Sequence, residues 1–79
     1  MKLPRDLSGR ELVSLLCRNL GYRVANQEGS HIALVTDEPS HQRLAVPNHS
    51  AIRIGTLNSI LRAVSAHKGI ERDDILRGL

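Results

Sequence analysis

A tight turn runs into a β-strand at Gly29-Ser30-His31-Ile32-Ala33-Leu34-Val35. Side chains alternate between the two faces of a strand, so Ile32 and Leu34 share one face and His31 lies on the other. Because a core would bury the two large aliphatic side chains, we expect the histidine to face solvent. Histidine is the residue type whose ordinary pKa lies nearest neutrality, so an exposed imidazole on a rigid strand suits proton transfer.

The residues before this stretch predict a helix that leads into a hairpin. Ser8 and Glu11 precede an apolar run with the spacing of a capping box, and Gly21 is suited to ending the helix. Apolar residues at helical spacing form its stripe: Leu12, Val13, Leu16, Cys17 and Leu20. The helix therefore has one face for a core.

The loop of the hairpin sets the register of its two strands. A two-residue turn at Glu28-Gly29 would turn Val24 away from the core. A three-residue loop with Gly29 in the left-handed conformation instead pairs Ala25 with His31 and keeps Val24 on the core face. We favour the three-residue loop.

A third strand at residues 41–46 ends at Pro47, because proline donates no hydrogen bond to a strand ladder. Gly55 or Thr56 is expected to cap a second amphipathic helix, and a short helix follows it. The order is αβββα with a small final helix. It predicts an α+β two-layer sandwich in which a three-stranded antiparallel sheet is covered by helices on one face and open on the other.

Length, cysteine content and the distribution of apolar residues narrow the class of protein. The chain of 79 residues is expected to form one domain, residues 1–79, with a thin core and a shallow site. Cys17, the single cysteine, has no partner for an internal disulfide. The chain has no long apolar run, and its start does not resemble a signal peptide. We therefore expect a cytoplasmic protein that does not contact a membrane.

The charge is unevenly distributed. The formal net charge is +3, and no acidic residue stands between Glu38 and Glu71. This segment is either a solvated helix face or a surface that binds phosphates. Tyr22 is the only aromatic residue, so the chain lacks the stacking platform by which other folds hold unpaired bases. The four histidines show no metal-site spacing, so we expect neither a metal nor another cofactor.

Three segments together resemble a known toxin family. They are Gly29-Ser30-His31, Val46-Pro47-Asn48-His49, and Ile54-Gly55-Thr56-Leu57 followed by Ile60-Leu61-Arg62. In this order, and over essentially the whole chain, they resemble the HicA (YcfA-like) family of bacterial and archaeal toxin mRNA interferases. The resemblance implies a double-stranded-RNA-binding-domain-like fold and a metal-independent endoribonuclease acting on mRNA. It also implies a HicB-type antitoxin that binds the toxin and masks its active site.

The same resemblance assigns the catalytic role to His31. RNA cleavage without a metal needs a base that takes the proton of a 2′-hydroxyl, so that its oxygen attacks the adjacent phosphorus. An exposed histidine has the chemistry for that task, and the alternative for a lone histidine is a structural role. The family usually carries a basic residue just before Gly-Ser-His, whereas this chain has Gln27-Glu28, and the Glu28 carboxylate would repel a phosphate.

Seven residues are candidates for RNA binding: Gly29, Ser30, Arg43, His49, Arg53, Thr56 and Lys68. Arg43, expected one residue off the row of His31, either holds the scissile phosphate or is a solvated strand arginine. His49 is either the general acid for the leaving 5′-oxygen or a cap of the next helix. Free N–H groups at Thr56 and Leu57, where the second helix is expected to start, suit a phosphate.

Two interpretations in which the protein is not an enzyme stay open. The same fold with a basic surface suits a non-catalytic module that holds structured RNA by its shape. The open sheet face, with Ala25, Ala33, Val35 and Ala45, suits a domain whose only task is to bind another protein.

Overall fold

Helices and strands follow one another in the order expected from the sequence, in a computed structural model that describes residues 6–77. The elements are α1 (Gly9–Leu20), β1 (Arg23–Glu28), β2 (His31–Thr36), β3 (Gln42–Pro47), α2 (Ile54–Lys68) and α3 (Arg72–Leu76). The strands form one antiparallel sheet in the order β1-β2-β3. The α+β class and the αβββα arrangement are thus confirmed. Residues 1–5 and 78–79, which the single-domain prediction also covered, lie outside the described residues.

The capping box at the start of α1 is confirmed. The Ser8 hydroxyl accepts a hydrogen bond from the Glu11 N–H at 3.1 Å, and the Glu11 carboxylate accepts one from the Ser8 N–H at 3.0 Å. The hydrogen bond from the Ser8 N–H, and secondarily one from the Ser8 side chain, lowers the pKa of the Glu11 carboxyl group. Gly21, left-handed with φ of 73°, ends the helix as predicted.

The core lies between the helices and one face of the sheet. Its most deeply buried aliphatic side chains are Leu12, Leu15, Leu16, Leu34, Val46, Ile52, Leu57, Leu61, Val64 and Ile75. Both long helices pack against β3, whereas every residue of β1 is exposed. The other face of the sheet is open to solvent at His31, Arg43 and Ala45. Val35, which was expected on this open face, is buried, so that expectation is wrong.

The hairpin between β1 and β2 is tighter than expected. Glu28 pairs with His31, so only Gly29 and Ser30 form the turn. Gly29 has the expected left-handed conformation, with φ of 58°. Both loops considered from the sequence are nevertheless wrong, and so is the pairing of Ala25 with His31.

A β-bulge explains the difference. The register of β1 against β2 shifts between Val24 and Asn26, which makes Ala25 the extra residue. Val24 therefore still pairs with Leu34, although at the edge of the sheet it remains 53% exposed. The bulge shifts the pairing of β1 with β2 by one residue, an effect that the sequence interpretation attributed to the length of the loop.

The helix α2 also begins earlier than expected. Its N-cap is Arg53 rather than Gly55 or Thr56, and no side chain of residues 6–77 forms a capping hydrogen bond to it. Ile52, just before the cap, is buried, and its N–H donates to the Leu7 carbonyl at 2.8 Å. This tertiary anchor sets the helix start in place of a capping side chain.

Gly9 brings the start of α1 against the segment that follows β3. Its N–H donates to the His49 carbonyl at 2.9 Å. A Cβ atom at position 9 would overlap the Pro47 carbonyl oxygen and lie 3.0 Å from the Asn48 Cα. The two backbones therefore approach more closely than any other residue at position 9 allows.

We expect Gly9→Ala to destabilise the protein by about 1–3 kcal/mol, because the new methyl group has to push two backbones apart. At about 4–8 °C per kcal/mol for a domain of this size, the melting temperature should fall measurably in a thermal scan. Gly55→Ala is the matched control, since a Cβ there meets no atom within 4 Å. Equal melting temperatures for the two variants would contradict the close contact at Gly9.

Candidate active site

His31 is the first residue of the central strand, and its side chain is exposed, as the alternation predicts. Its strand neighbour Ile32 is buried on the opposite face. Across the sheet, His31 is paired with Glu28 on β1 and with Pro47 on β3. The rigid centre of the sheet thus holds the imidazole at the edge from which the β3–α2 loop, residues 48–53, departs.

A shallow cavity of about 370 Å³, here called the histidine cleft, opens beside His31. Its lining residues are His31, Ala45, Pro47, His49, Arg53 and Thr56. Four of these were candidates from separate parts of the sequence: His31, His49, Arg53 and Thr56. The structure brings them together around one space.

Three backbone hydrogen bonds hold the β3–α2 loop in place. Each joins an N–H to a carbonyl oxygen: Asn48 to Ser30 (2.6 Å), Gly9 to His49 (2.9 Å) and Ile52 to Leu7 (2.8 Å). The first of these ties the loop to the turn that precedes His31. The main chain therefore sets the position of His49 relative to His31.

Positive charge and hydrogen-bond donors border the histidine cleft. Arg53 is exposed at its wall, and the first turn of α2 contains no acidic residue. The N–H groups of residues 54–56 lie in the first turn, where helix geometry provides no acceptor within the helix. The Leu57 N–H, which the sequence interpretation left free, donates to the Arg53 carbonyl at 2.9 Å because the helix begins earlier. The free N–H donors of the first turn are therefore those of residues 54–56.

A second cavity, the sheet groove, follows the open face from His31 toward Arg43 and has a volume of about 330 Å³. Arg43 pairs with Val35, which lies four residues beyond His31 on β2. At about 3.3 Å per residue, this separates the two positions by roughly 13 Å along the strand. The expected offset of one residue is wrong, because Pro47 occupies the position across from His31. Arg43 shares a groove with His31 but lies at its other end.

Glu28 marks the side of His31 that disfavours an anion. Glu28 lines the sheet groove, and its carboxylate accepts a hydrogen bond from the Asn26 amide at 2.8 Å. The histidine cleft, on the β3 side of His31, has Arg53 and no acidic residue among its lining residues. The local charge is thus more favourable to an anion on the β3 side of His31 than beside the Glu28 carboxylate.

A family model described as the HicA toxin of bacterial toxin-antitoxin matches residues 9–65. The chain belongs to the HicA toxin family. The match runs from the first residue of α1 into the last turns of α2 and includes every residue that lines the histidine cleft. No curated protein and no solved structure gives a significant match. This HicA protein is accordingly the toxin of a toxin–antitoxin pair, and an antitoxin is its partner.

Lys68 lies away from the cleft of this HicA toxin, near the other end of β2. Its ammonium donates to the Thr36 hydroxyl at 2.8 Å and to the Glu38 carbonyl at 2.6 Å, and lies 4.9 Å from the centre of the Tyr22 ring. These contacts attach the end of α2 to the β2–β3 turn. The structure thus separates Lys68 from the other candidates for the basic surface.

Two further histidines of the toxin are engaged at that same end. The His41 ring contacts the Asp37 carboxylate at 2.9 Å, and the His67 ring contacts the Ser40 carbonyl at 2.8 Å. The hydrogen bond from His41, together with an ion pair from Arg23, lowers the pKa of the Asp37 carboxyl group. These contacts stabilise the β2–β3 turn.

Over residues 6–77, no group of three or more His, Cys, Asp or Glu side chains is arranged to hold a metal ion. In the same part of the chain, no helix combines the length and the apolar character that crossing a bilayer requires.

Gly9 and Pro47 contribute to the site of this HicA toxin in ways that the sequence interpretation missed. Pro47 pairs with His31 and lines the cleft, while Gly9 holds the loop that carries His49. A signal was present for Gly9, since a glycine in a helical pattern often has a packing reason. No pattern in the sequence indicates which backbone it approaches.

We expect Lys68→Met to lower the free energy of unfolding by about 1 kcal/mol, because it removes one half-buried and one exposed hydrogen bond from a charged donor. Arg53→Met should change it little, because that side chain is exposed. Thermal scans of the two variants provide the measurement. Equal losses of stability in the two variants would contradict the conclusion that Lys68 stabilises the fold whereas Arg53 is free to serve the cleft.

Proposed function

We propose that this toxin is an mRNA interferase, a metal-independent endoribonuclease with His31 as its general base. Membership of the family supports a toxin with an antitoxin partner, and the cleavage of mRNA is the step that we add. The observation that carries the proposal is the position of His31. Its imidazole is exposed at the end of the central strand, beside a cleft lined by Arg53 and the start of α2.

In the proposed reaction, RNA supplies its own nucleophile. The unprotonated His31 imidazole takes the proton of a 2′-hydroxyl, and the 2′-oxygen forms a bond to the adjacent phosphorus. The bond from phosphorus to the 5′-oxygen then breaks, which leaves a 2′,3′-cyclic phosphate and a 5′-hydroxyl. A correctly placed general base typically accelerates such a step by about 10²–10⁴-fold.

The scissile phosphate is best placed in the histidine cleft. Arg53, the Thr56 hydroxyl and the N–H groups of residues 54–56 offer donors for its oxygens, where negative charge grows in the transition state. Gly29 and Ser30 are exposed at the adjoining turn, and neither has a bulky side chain that would obstruct the RNA backbone. Arg43, at the far end of the sheet groove, suits a phosphate farther along the strand.

The open face also suits the partner. We propose that a HicB-type antitoxin covers the histidine cleft and the sheet groove, whose small side chains Ala33 and Ala45 let another backbone approach closely. Such a complex would hide His31 from RNA. In this arrangement the catalytic surface and the antitoxin surface are the same, so the toxin cannot act while the antitoxin is bound.

We expect His31→Ala to abolish the growth arrest that expression of the wild-type toxin causes, because the base is removed. The free energy of unfolding should change by no more than about 0.5 kcal/mol, since the side chain is exposed. His41→Ala is the matched control, because His41 is also an exposed histidine but lies at the other end of the sheet. A toxic His31→Ala variant would refute the assignment of the base.

Cleavage should persist in EDTA and should fail on RNA whose ribose carries a 2′-deoxy substitution at the cut site, because the 2′-oxygen is the nucleophile. Gel analysis of the products, with a test for the 2′,3′-cyclic phosphate end, provides the measurement. Inhibition by EDTA, or cutting of the deoxy substrate, would rule out this mechanism. Retarded RNA without any product would instead identify a binding module that does not cleave.

A further inference from the structure

We infer that His49 is the general acid of the proposed reaction and gives a proton to the 5′-oxygen as it leaves phosphorus. The inference rests on the proposed function and adds a second catalytic residue to it. It starts from the observation that His31 and His49 line the same cavity although they lie on different elements, one on β2 and the other in the β3–α2 loop.

The spacing of the two backbones suits an acid and a base that share one phosphate. The Cα atoms of His31 and Pro47, as antiparallel partners, lie about 4.5–5.5 Å apart. His49 follows Pro47 by two residues, which adds at most about 7 Å. The Cα atoms of the two histidines are thus within about 13 Å of each other. A phosphate bound in the cleft would therefore be within reach of both side chains.

The hydrogen bonds of the histidines separate this pair from the others. The rings of His41 and His67 contact Asp37 and Ser40. Within residues 6–77, no hydrogen bond joins the His31 ring or the His49 ring to another group, and both residues line the cleft. The two histidines whose rings are free for proton transfer are therefore the two that the fold brings together.

Backbone hydrogen bonds of the β3–α2 loop hold His49 in one position. Its carbonyl accepts the hydrogen bond from the Gly9 N–H, and the preceding Asn48 N–H donates to the Ser30 carbonyl. Both bonds use backbone atoms, so the imidazole is not needed to hold the loop in place. A proton donor that is already positioned contributes to catalysis without the cost of ordering a mobile loop.

Other groups around the cleft fit the role less well. The Arg53 guanidinium does not give up its proton in proteins, and a hydroxyl such as that of Thr56 is a weak acid. Glu28 lies on the β1 side of His31, across from the cleft. Of the cleft-lining residues other than His31, only His49 has an imidazole, the side chain that proteins most often use for general acid–base catalysis.

The proton balance of the step is complete. The 2′-hydroxyl gives its proton to His31 as the bond from the 2′-oxygen to phosphorus forms. Protonated His49 gives its proton to the 5′-oxygen as the bond from phosphorus to that oxygen breaks. The step leaves a protonated His31 and a neutral His49, and exchange with water restores both.

The test replaces the leaving oxygen with sulfur. An RNA oligonucleotide is built around a site that the wild-type toxin cuts in an mRNA, with the bridging 5′-oxygen of that site changed to sulfur. A thiolate leaves without being protonated, so this substrate needs a base but no acid. We expect His49→Ala to cut the ordinary RNA about 10²–10⁴-fold more slowly than the wild type and to regain most of that loss on the sulfur substrate.

Matched variants complete the test. His49→Asn keeps a polar side chain that cannot act as an acid, so it should behave like His49→Ala. His31→Ala should stay slow on both substrates, and His41→Ala should match the wild type on both. Melting temperatures close to that of the wild type should show that the His49 variants are folded, because its side chain is exposed.

Two results would overturn the inference while leaving the proposed function intact. One is wild-type cleavage of ordinary RNA by His49→Ala. The other is an equal loss on both substrates, which would mean that His49 binds or positions the RNA. A wild-type toxin that cuts no mRNA at all would remove the proposed function, and the inference with it.

Discussion

The contact between the start of α1 and the β3–α2 loop is the constraint on which the site depends. Gly9 permits it, because any Cβ at this position would overlap the Pro47 carbonyl oxygen. The hydrogen bond from Gly9 to His49 and the bond from Asn48 to Ser30 then fix the loop against the sheet. A thin two-layer domain cannot enclose a deep pocket, so its cleft is formed where two backbones meet.

Charge is arranged asymmetrically around the central strand. Glu28 lies on the β1 side of His31, while Arg53 and the uncapped start of α2 lie on the β3 side. The acidic residue in front of the Gly-Ser-His segment is therefore compatible with an anion that approaches from β3. Most of the basic groups at the other end of β2 stabilise the fold and do not line the cleft, since Lys68, His41 and His67 contact the β2–β3 turn.

Much of the fold follows from local patterns. The capping box at Ser8, the glycine end at Gly21, the core face of β2 and the exposure of His31 all depend on nearest neighbours in the chain, and all are confirmed. The predicted register of the hairpin and the predicted start of α2 are wrong. Both depend on contacts between distant segments, namely strand pairing around the bulge at Ala25 and the anchoring of Ile52 by Leu7.

The sequence by itself determined the α+β order of elements, the outward direction of His31 and the resemblance of three segments to one toxin family. Periodicity and short motifs encode these features within a few residues. Only the tertiary structure decided that His49, Arg53 and Thr56 share the cleft of His31, whereas Arg43 and Lys68 lie elsewhere. The reason is physical: strand register and backbone hydrogen bonds between distant segments set these distances, and no local spacing in the chain records them.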